Sequence, residues 1–249
     1  MSKGRIYVGV GGWSYAPWRG TFYPEGLAQR RELDYASRRL SSIEINATYY
    51  SSFKPATFAK WRDETPDGFV FAVKASRYCV NRRNLGAAAD SIAKFFAQGV
   101  EALGDRLGPI NWQFMETKKF DAAEMEAFLN LLPREAGGRP LRHALEVRHP
   151  SFKDPAFYDL ARRRGAAIVF ADHENFPRID EATADFSYAR LMRTREDADT
   201  GYEPAALAAW AERARKWAAR GDVFIYFIAG AKARNPAAAQ ALSAMLSPP

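Results

Sequence analysis

Cysteine is almost absent: Cys79 stands alone among 249 residues. That excludes an internal disulfide and any all-cysteine metal site, and makes a reducing cytoplasm the expected compartment. Histidine is nearly as scarce, with only His143, His149 and His173, too few nitrogen donors for a multinuclear zinc centre. No apolar run approaches the roughly 20 residues of a membrane span. The longest, VFIYFIAGA at 223–231, reads as a buried strand. The amino-terminal MSKGRIYVGVGG has too short an apolar part for a signal peptide, and glycine interrupts it. No Gly-x-Gly-x-x-Gly follows the first apolar run, so a dinucleotide fingerprint is unsupported. A serine nucleophile elbow and a phosphate P-loop are missing too. With no linker, low-complexity segment or repeat longer than one strand and one helix, a single domain over 1–249 is expected.

What is present is an ordinary globular composition, 47% hydrophobic and 26% charged, in a chain long enough to bury about 70–75% of its unfolded surface. The net charge of +7 admits an anionic partner, a small anionic molecule or nucleic acid. Most arginine runs (30–31, 38–39, 162–164) fall in helical stretches, where arginine coats the solvated face, and no aromatic-interleaved basic stripe accompanies them.

Eight strand candidates alternate with helices: 6–13, 42–48, 69–75, 107–114, 143–149, 166–172, 186–192 and 222–229. Helices are expected over 29–40, 55–64, 87–103, 121–132, 154–165, 203–220 and 236–246, with Pro55, Pro155, Pro204 and Pro236 in first turns. The connector 173–185 supports a helical turn at most. Eight strands with intervening helices in about 250 residues match an α/β fold of the (β/α)₈ TIM-like barrel type. An open doubly wound sheet is the rival, with usually fewer strands and a Gly-rich first turn.

In such a barrel alternate side chains point inward, and function sits at the carboxyl ends of the strands. Ile43 and Ile45 facing the helices turn Glu44 and Asn46 inward; Phe71 and Val73 do the same for Lys74. Ile110, Trp112 and Phe114 outward put Asn111 and Gln113 inside, and Leu145 and Val147 do so for Glu146 and Arg148. Val169 and Ala171 outward place Asp172 inside, and Ala189 and Leu191 place Tyr188 and Arg190 there. Glu44, Lys74, Glu146, Arg148, Asp172 and Arg190 then form one inward cluster of balanced charge. It is either a functional site or a self-neutralising plug. Buried ion pairs stabilise little better than apolar residues of similar volume, which favours function.

These residues and their flanking words are similar to the YecE-like family (domain of unknown function 72). GGWSYAPWRGTFYPEG (11–26), IEINATYY (43–50), FAVKASR (71–77), LGPINWQF (107–114), ALEVRHPSF (144–152) and TADFSYARL (183–191) follow in family order. The resemblance spans nearly the whole chain and implies a TIM-barrel fold without implying an activity. Carried over position by position, the family's polar words fall on Trp13, Glu44, Asn46, Lys74, Gln113, Glu146, Arg148, His149 and Arg190. Departures concentrate at the mouth. Phe114-Met115-Glu116 stands where Leu-Pro-Pro is usual, Met192-Arg193 where His-Gly is common, and Ile228-Ala229-Gly230 in place of Asn-Asn-Asp. The Thr-His expected near Cys79-Val80-Asn81 is missing.

The chemistry ranked first is recognition of a phosphate-bearing or nucleic-acid-derived anion, with hydrolysis by carboxylate acid/base catalysis as its catalytic form. Lys74, Arg148 and Arg190 supply cations, and Trp13, Tyr15, Tyr49 and Tyr50 supply stacking faces. Glu44, Glu146 and Lys74 are the candidate catalytic groups; Trp13, Asn46, Gln113, Arg148, Asp172, Tyr188 and Arg190 are candidate substrate contacts. No cofactor is expected. A metal-assisted, endonuclease-IV-like hydrolase is the alternative, with Glu146, His149, Asp172 and His173 as ligands, although alternation points His149 away from Glu146. A two-carboxylate glycosidase through Glu44 and Glu146 and a Schiff-base enzyme through Lys74 rank lower. A barrel that binds without catalysis stays open: a binder keeps every carboxylate paired, whereas an enzyme leaves one titratable group free. Cys79 is expected to be a packing residue, and His143 a surface residue opening its strand.

Overall fold

A computed structural model describes residues 4–247. The apolar and β-branched runs form β1 (Ile6–Gly11), β2 (Ser42–Ile45), β3 (Val70–Lys74), β4 (Leu107–Gln113), β7 (His143–Glu146), β8 (Ala167–Ile168), β9 (Phe170–Asp172), β10 (Phe186–Leu191) and β11 (Asp222–Phe227). Between β4 and β7, β5 (Glu135–Ala136) and β6 (Arg139–Pro140) make a separate antiparallel ribbon. The nine main strands are all parallel, in the order β8-β7-β4-β3-β2-β1-β11-β10-β9. β8 and β9 are two pieces of one stave separated by Val169; the first pairs with β7 and the second with β10. The ring therefore has eight staves, and the chain itself closes it at the split one.

Around the barrel lie α1 (Glu32–Ser37), α2 (Ala47–Tyr50), α3 (Pro55–Asp63), α4 (Arg77–Val80), α5 (Ala89–Phe96), α6 (Ala122–Leu131), α7 (Pro155–Arg164), α8 (Pro204–Ala218) and α9 (Asn235–Leu246). The four prolines take first-turn positions, where the missing N–H is no loss. The Asp121 and Asp154 carboxylates accept from the N–H groups of Glu124 and Ala156, each at 2.8 Å, and cap α6 and α7. The expected helix 87–103 breaks after Phe96 because Gly99 has φ +83°, and a Cβ there would lie 2.6 Å from Pro55 Cγ. The expected helix 29–40 is regular only over Glu32–Ser37. The one-turn helices α2 and α4, directly after β2 and β3, were not anticipated.

Alternation holds on five of the six staves where it was applied. Ile43, Ile45, Phe71, Val73, Ile110, Trp112, Phe114, Leu145 and Val147 pack against the helices. A second cluster, including Tyr7, Ala72, Ala144, Val169, Phe186, Tyr188, Phe224 and Tyr226, fills the barrel interior. Tyr7 stacks on Phe224 at 4.9 Å, and the Tyr226 and Ser42 hydroxyls hydrogen-bond at 2.7 Å. The split stave corrects the expected parity. Phe170 faces out onto Trp210 and Trp217 of α8, at 5.8 and 5.5 Å, while Val169 faces in. Asp172 pairs in register with outward-facing Leu191, so it leaves the inward set.

Candidate active site at the barrel mouth

Two carboxylates occupy the upper interior, both with no exposed surface. Glu44, from β2, accepts from the Tyr188 hydroxyl at 2.5 Å, from Arg190 Nη2 at 3.1 Å and from Asn111 Nδ2 at 3.3 Å. Glu146, the last residue of β7, accepts from Arg190 Nη1 at 2.5 Å, from Arg148 Nε and Nη2 at 3.0 and 2.8 Å, and from Asn111 Nδ2 at 3.2 Å. Arg190 thus bridges both acids and gives a third bond, at 3.1 Å, to Gln113 Oε1. Burial opposes ionisation of Glu146, but Arg190, Arg148 and Lys74 outweigh it and hold its carboxyl near 2. Burial likewise works against the Arg190 charge, and the two glutamates overcome it and raise its pKa. Tyr188, buried beside Glu44, is pushed far above the usual phenol range.

Lys74 is placed differently. It ends β3 and is only 6% exposed. Among the described residues its Nζ has no hydrogen-bond acceptor and no carboxylate oxygen within 4.0 Å; it lies 4.1 Å from the centre of the Tyr49 ring. Its backbone is fixed, since the Thr48 hydroxyl donates to its carbonyl at 2.6 Å. Burial lowers its pKa to about 8, Arg190 and Arg148 pull the same way, and Glu44 and Glu146 oppose them.

Above the carboxylates opens a cavity of about 400 Å³. Lys74, Arg148, Arg190 and Lys232 line it, and among the described residues no carboxylate does. Trp13, Tyr15, Trp18, Met192, Ile228 and Ala229 supply its apolar and aromatic lining, with Asn46, Gln113 and Asn235 as polar members. Asn46 Oδ1 and Arg190 Nε are buried without partners. Ala229 sits at φ +61°, a left-handed conformation that is costly outside glycine and asparagine. The aromatic loop is held from behind: Glu32, fully buried, accepts from Ser14 at 2.8 Å and Arg19 at 2.7 Å, and Trp18 Nε1 donates to the Lys232 carbonyl at 2.8 Å.

Of the residues picked from the sequence, the structure gathers Glu44, Lys74, Gln113, Glu146, Arg148, Tyr188 and Arg190, with Trp13 and Asn46 on the cavity wall. Asp172 stands apart, bonded to Arg178 at 2.6 Å and Tyr202 at 3.3 Å. Tyr49 is buried beneath Lys74, and Tyr50 projects into solvent while still reaching the cavity rim. The proposed metal donors do not converge. His149 caps the turn Pro150–Phe152 by accepting from the Ser151 N–H at 3.1 Å. His173 stacks on Phe176 at 3.8 Å, and no group of three or more His, Cys, Asp or Glu among the described residues is arranged around a common point. His143, expected at the surface, is buried between the Trp112 indole N–H (3.0 Å) and the Pro133 carbonyl (2.7 Å). Asn111, inward by alternation, joins the two acids through its Nδ2. Lys232 and Asn235 were missed, because a lysine in an irregular loop carries no periodic signal.

Comparison with known proteins agrees with this architecture. The chain is 31% identical over 150 residues to the UPF0759 protein YecE of Escherichia coli K12, covering 59% of this chain and 50% of that protein. It is 28% identical over 162 residues to YunF of Bacillus subtilis 168, covering 62% and 54%. The chain therefore matches about half the length of these curated relatives. A DUF72 family protein of Thermotoga maritima MSB8 has the same fold, with TM-score 0.76 at 22% identity over 96% of this chain and 97% of that one. The family profile described as "Protein of unknown function DUF72" matches residues 7–249, and the chain belongs to that family.

Proposed function

We propose that the barrel mouth binds a small anionic molecule, phosphate- or carboxylate-bearing or derived from nucleic acid, and that Lys74 is the group that exchanges protons with it. The observation that carries this reading is the buried Lys74, whose amine has no acceptor among the described residues and opens onto a cavity lined, among those residues, by four cations and no carboxylate. Arg148 is the principal anion contact. Its side chain is 18% exposed, and its Nη1 reaches only Glu116 at 3.6 Å, so it has donor capacity left for a ligand. Arg190 has spent both Nη groups on the acids and acts through its field. Trp13 and Tyr15 offer flat faces to a base or ring.

Hydrolysis by Glu44 and Glu146, as first expected, gains no support from this geometry. Both acids are saturated with donors, and Glu146 is held ionised far below neutrality. They serve here as counter-charges that anchor the cations. A barrel that binds without catalysis is the second reading, favoured by the complete pairing of both carboxylates.

Thermal shift with inorganic phosphate, pyruvate and adenosine monophosphate, with glucose as neutral control, tests the proposal. An anion at 100 times its dissociation constant adds about 2.7 kcal/mol. That gain is expected to shrink with salt and to be largely lost in Arg148→Ala. An equal gain in Arg148→Ala, or stabilisation by glucose alone, refutes it.

A further inference from the structure

A lysine that only holds an anion has no need to be buried without a partner. Lys118 shows how this chain treats a structural lysine: its side chain is 11% exposed, and its Nζ is bonded to the Arg83 carbonyl at 2.8 Å and to Glu124 at 2.5 Å. Lys74 is more buried and, among the described residues, has neither kind of partner. A buried ammonium without acceptors is the costly form, and the neutral amine is the form such a site favours.

The surroundings of Nζ sort into two sets. Arg148 and Arg190 disfavour its charge, Glu44 and Glu146 favour it from below, and the Tyr49 ring lies against it at 4.1 Å. Burial and then Arg190 act most strongly against the charge; Glu44 and Glu146 oppose them, but their oxygens are already occupied by arginine, asparagine and tyrosine donors and give Nζ no direct acceptor. Beside the cations, Met192, Ile228 and Ala229 add carbon to the cavity lining, Met192 and Ala229 packing with Phe176, whose ring centre lies 4.5 Å from the Arg148 guanidinium. The site therefore combines a largely buried amine that reaches the cavity, a guanidinium with spare donors and an apolar part of the lining. Only the first two are needed to hold and attack an anionic carbonyl compound.

We propose that Lys74 is a covalent nucleophile that condenses with the carbonyl carbon of a small oxo-acid or oxo-phosphate whose anionic group is held by Arg148; this rests on the anion-binding reading above. The Nζ lone pair forms the N–C bond as the carbonyl π pair moves to oxygen. Both amine protons pass to that oxygen, which leaves as water, and a C=N bond remains. No oxidant, reductant or second substrate is consumed. Protonated, the imine carries the same charge over the same Tyr49 face that the ammonium did, so the ring stabilises both ends of the step. With its pKa near 8, about a quarter of Lys74 is free amine at pH 7.5. An ordinary lysine is about 0.1% free there, roughly 200-fold less.

Reductive trapping tests this. The protein is incubated with pyruvate, dihydroxyacetone phosphate or acetone, reduced with cyanoborohydride, and read by intact mass and peptide mapping. One equivalent of reduced adduct on Lys74 is expected with the two anionic carbonyls. Its rate should rise with pH to a plateau above about 8, and acetone and Arg148→Met should each be at least about tenfold slower. Lys74→Arg, which keeps charge and length, should give no adduct at this position. If phosphate stabilises the wild type but no adduct forms on Lys74, the nucleophile is refuted and the anion site stands. If neither occurs, both fall. Equally fast trapping of acetone refutes the role given to Arg148, and the proposal with it.

Discussion

Replacing Arg190 with methionine removes the one side chain that joins the two buried acids. Arg190 is 2% exposed, and its guanidinium donates to Glu44, Glu146 and Gln113. Methionine has similar length and fills the space, so the main loss is electrostatic. Glu146 keeps Arg148 and Asn111, and Glu44 keeps Tyr188 and Asn111, but each carboxylate loses its shortest or only cationic partner. Breaking a buried pair from one side costs about 3–5 kcal/mol. In a domain of this size that is a fall in melting temperature of roughly 6–20 °C. The pH dependence carries the sharper signature. In the wild type the folded Glu146 pKa, near 2, lies below its ordinary value of 4.5. Its ionisation therefore stabilises the fold fully above about 4.5, and that contribution, about 3 kcal/mol, is lost as pH falls toward 2. Without Arg190 the folded pKa rises, the acid-side slope flattens, and wild type and variant converge as pH drops. Urea denaturation at intervals from pH 2.5 to 8 measures this. The triple variant with Glu44→Gln and Glu146→Gln should recover most of the neutral-pH loss. A variant within about 1 kcal/mol of wild type at pH 7, or a loss independent of pH, refutes the bridging role.

Two further outcomes follow from buried groups away from the mouth. His143 Nδ1 accepts from Trp112, so its Nε2 carries the proton given to Pro133, and both nitrogens are committed to the neutral ring. Burial lowers its pKa from 6.5 to about 4. The unfolded chain therefore binds the extra proton first, and stability falls by about 3 kcal/mol from pH 6.5 to 4; His143→Gln should remove that slope in denaturation titrations, and an unchanged slope refutes it. Cys79 is fully buried, and burial raises its thiol to about 12. Iodoacetamide at pH 8 should leave the native protein unlabelled for hours and label it within minutes in urea, whereas rapid native labelling contradicts its placement.

The sequence by itself determined the eight staves, their helical partners and the side of the barrel on which most polar groups lie. That was legible because period-two alternation is written in the residues themselves: in SIEI, VFAVK and ALEV only one parity is uniformly apolar. It failed at AIVFA (167–171), where both parities are apolar and only the fit of Phe170 against Trp210 and Trp217 decides which side faces the helices. The helix break at Gly99 depends on Pro55, distant in sequence, and His149 and His143 were drawn into a turn cap and a core by neighbours that alternation does not reveal. Which charges meet was likewise a tertiary decision. Alternation tells which way a side chain points, not who stands beside it around a closed ring, so only the folded barrel joined Arg190 of β10 to Glu44 of β2 and Glu146 of β7. The same closure left Lys74 of β3, equal to the arginines in charge and parity, without a hydrogen-bond acceptor among the described residues, because arginine, asparagine and tyrosine donors occupy the carboxylate oxygens of Glu44 and Glu146.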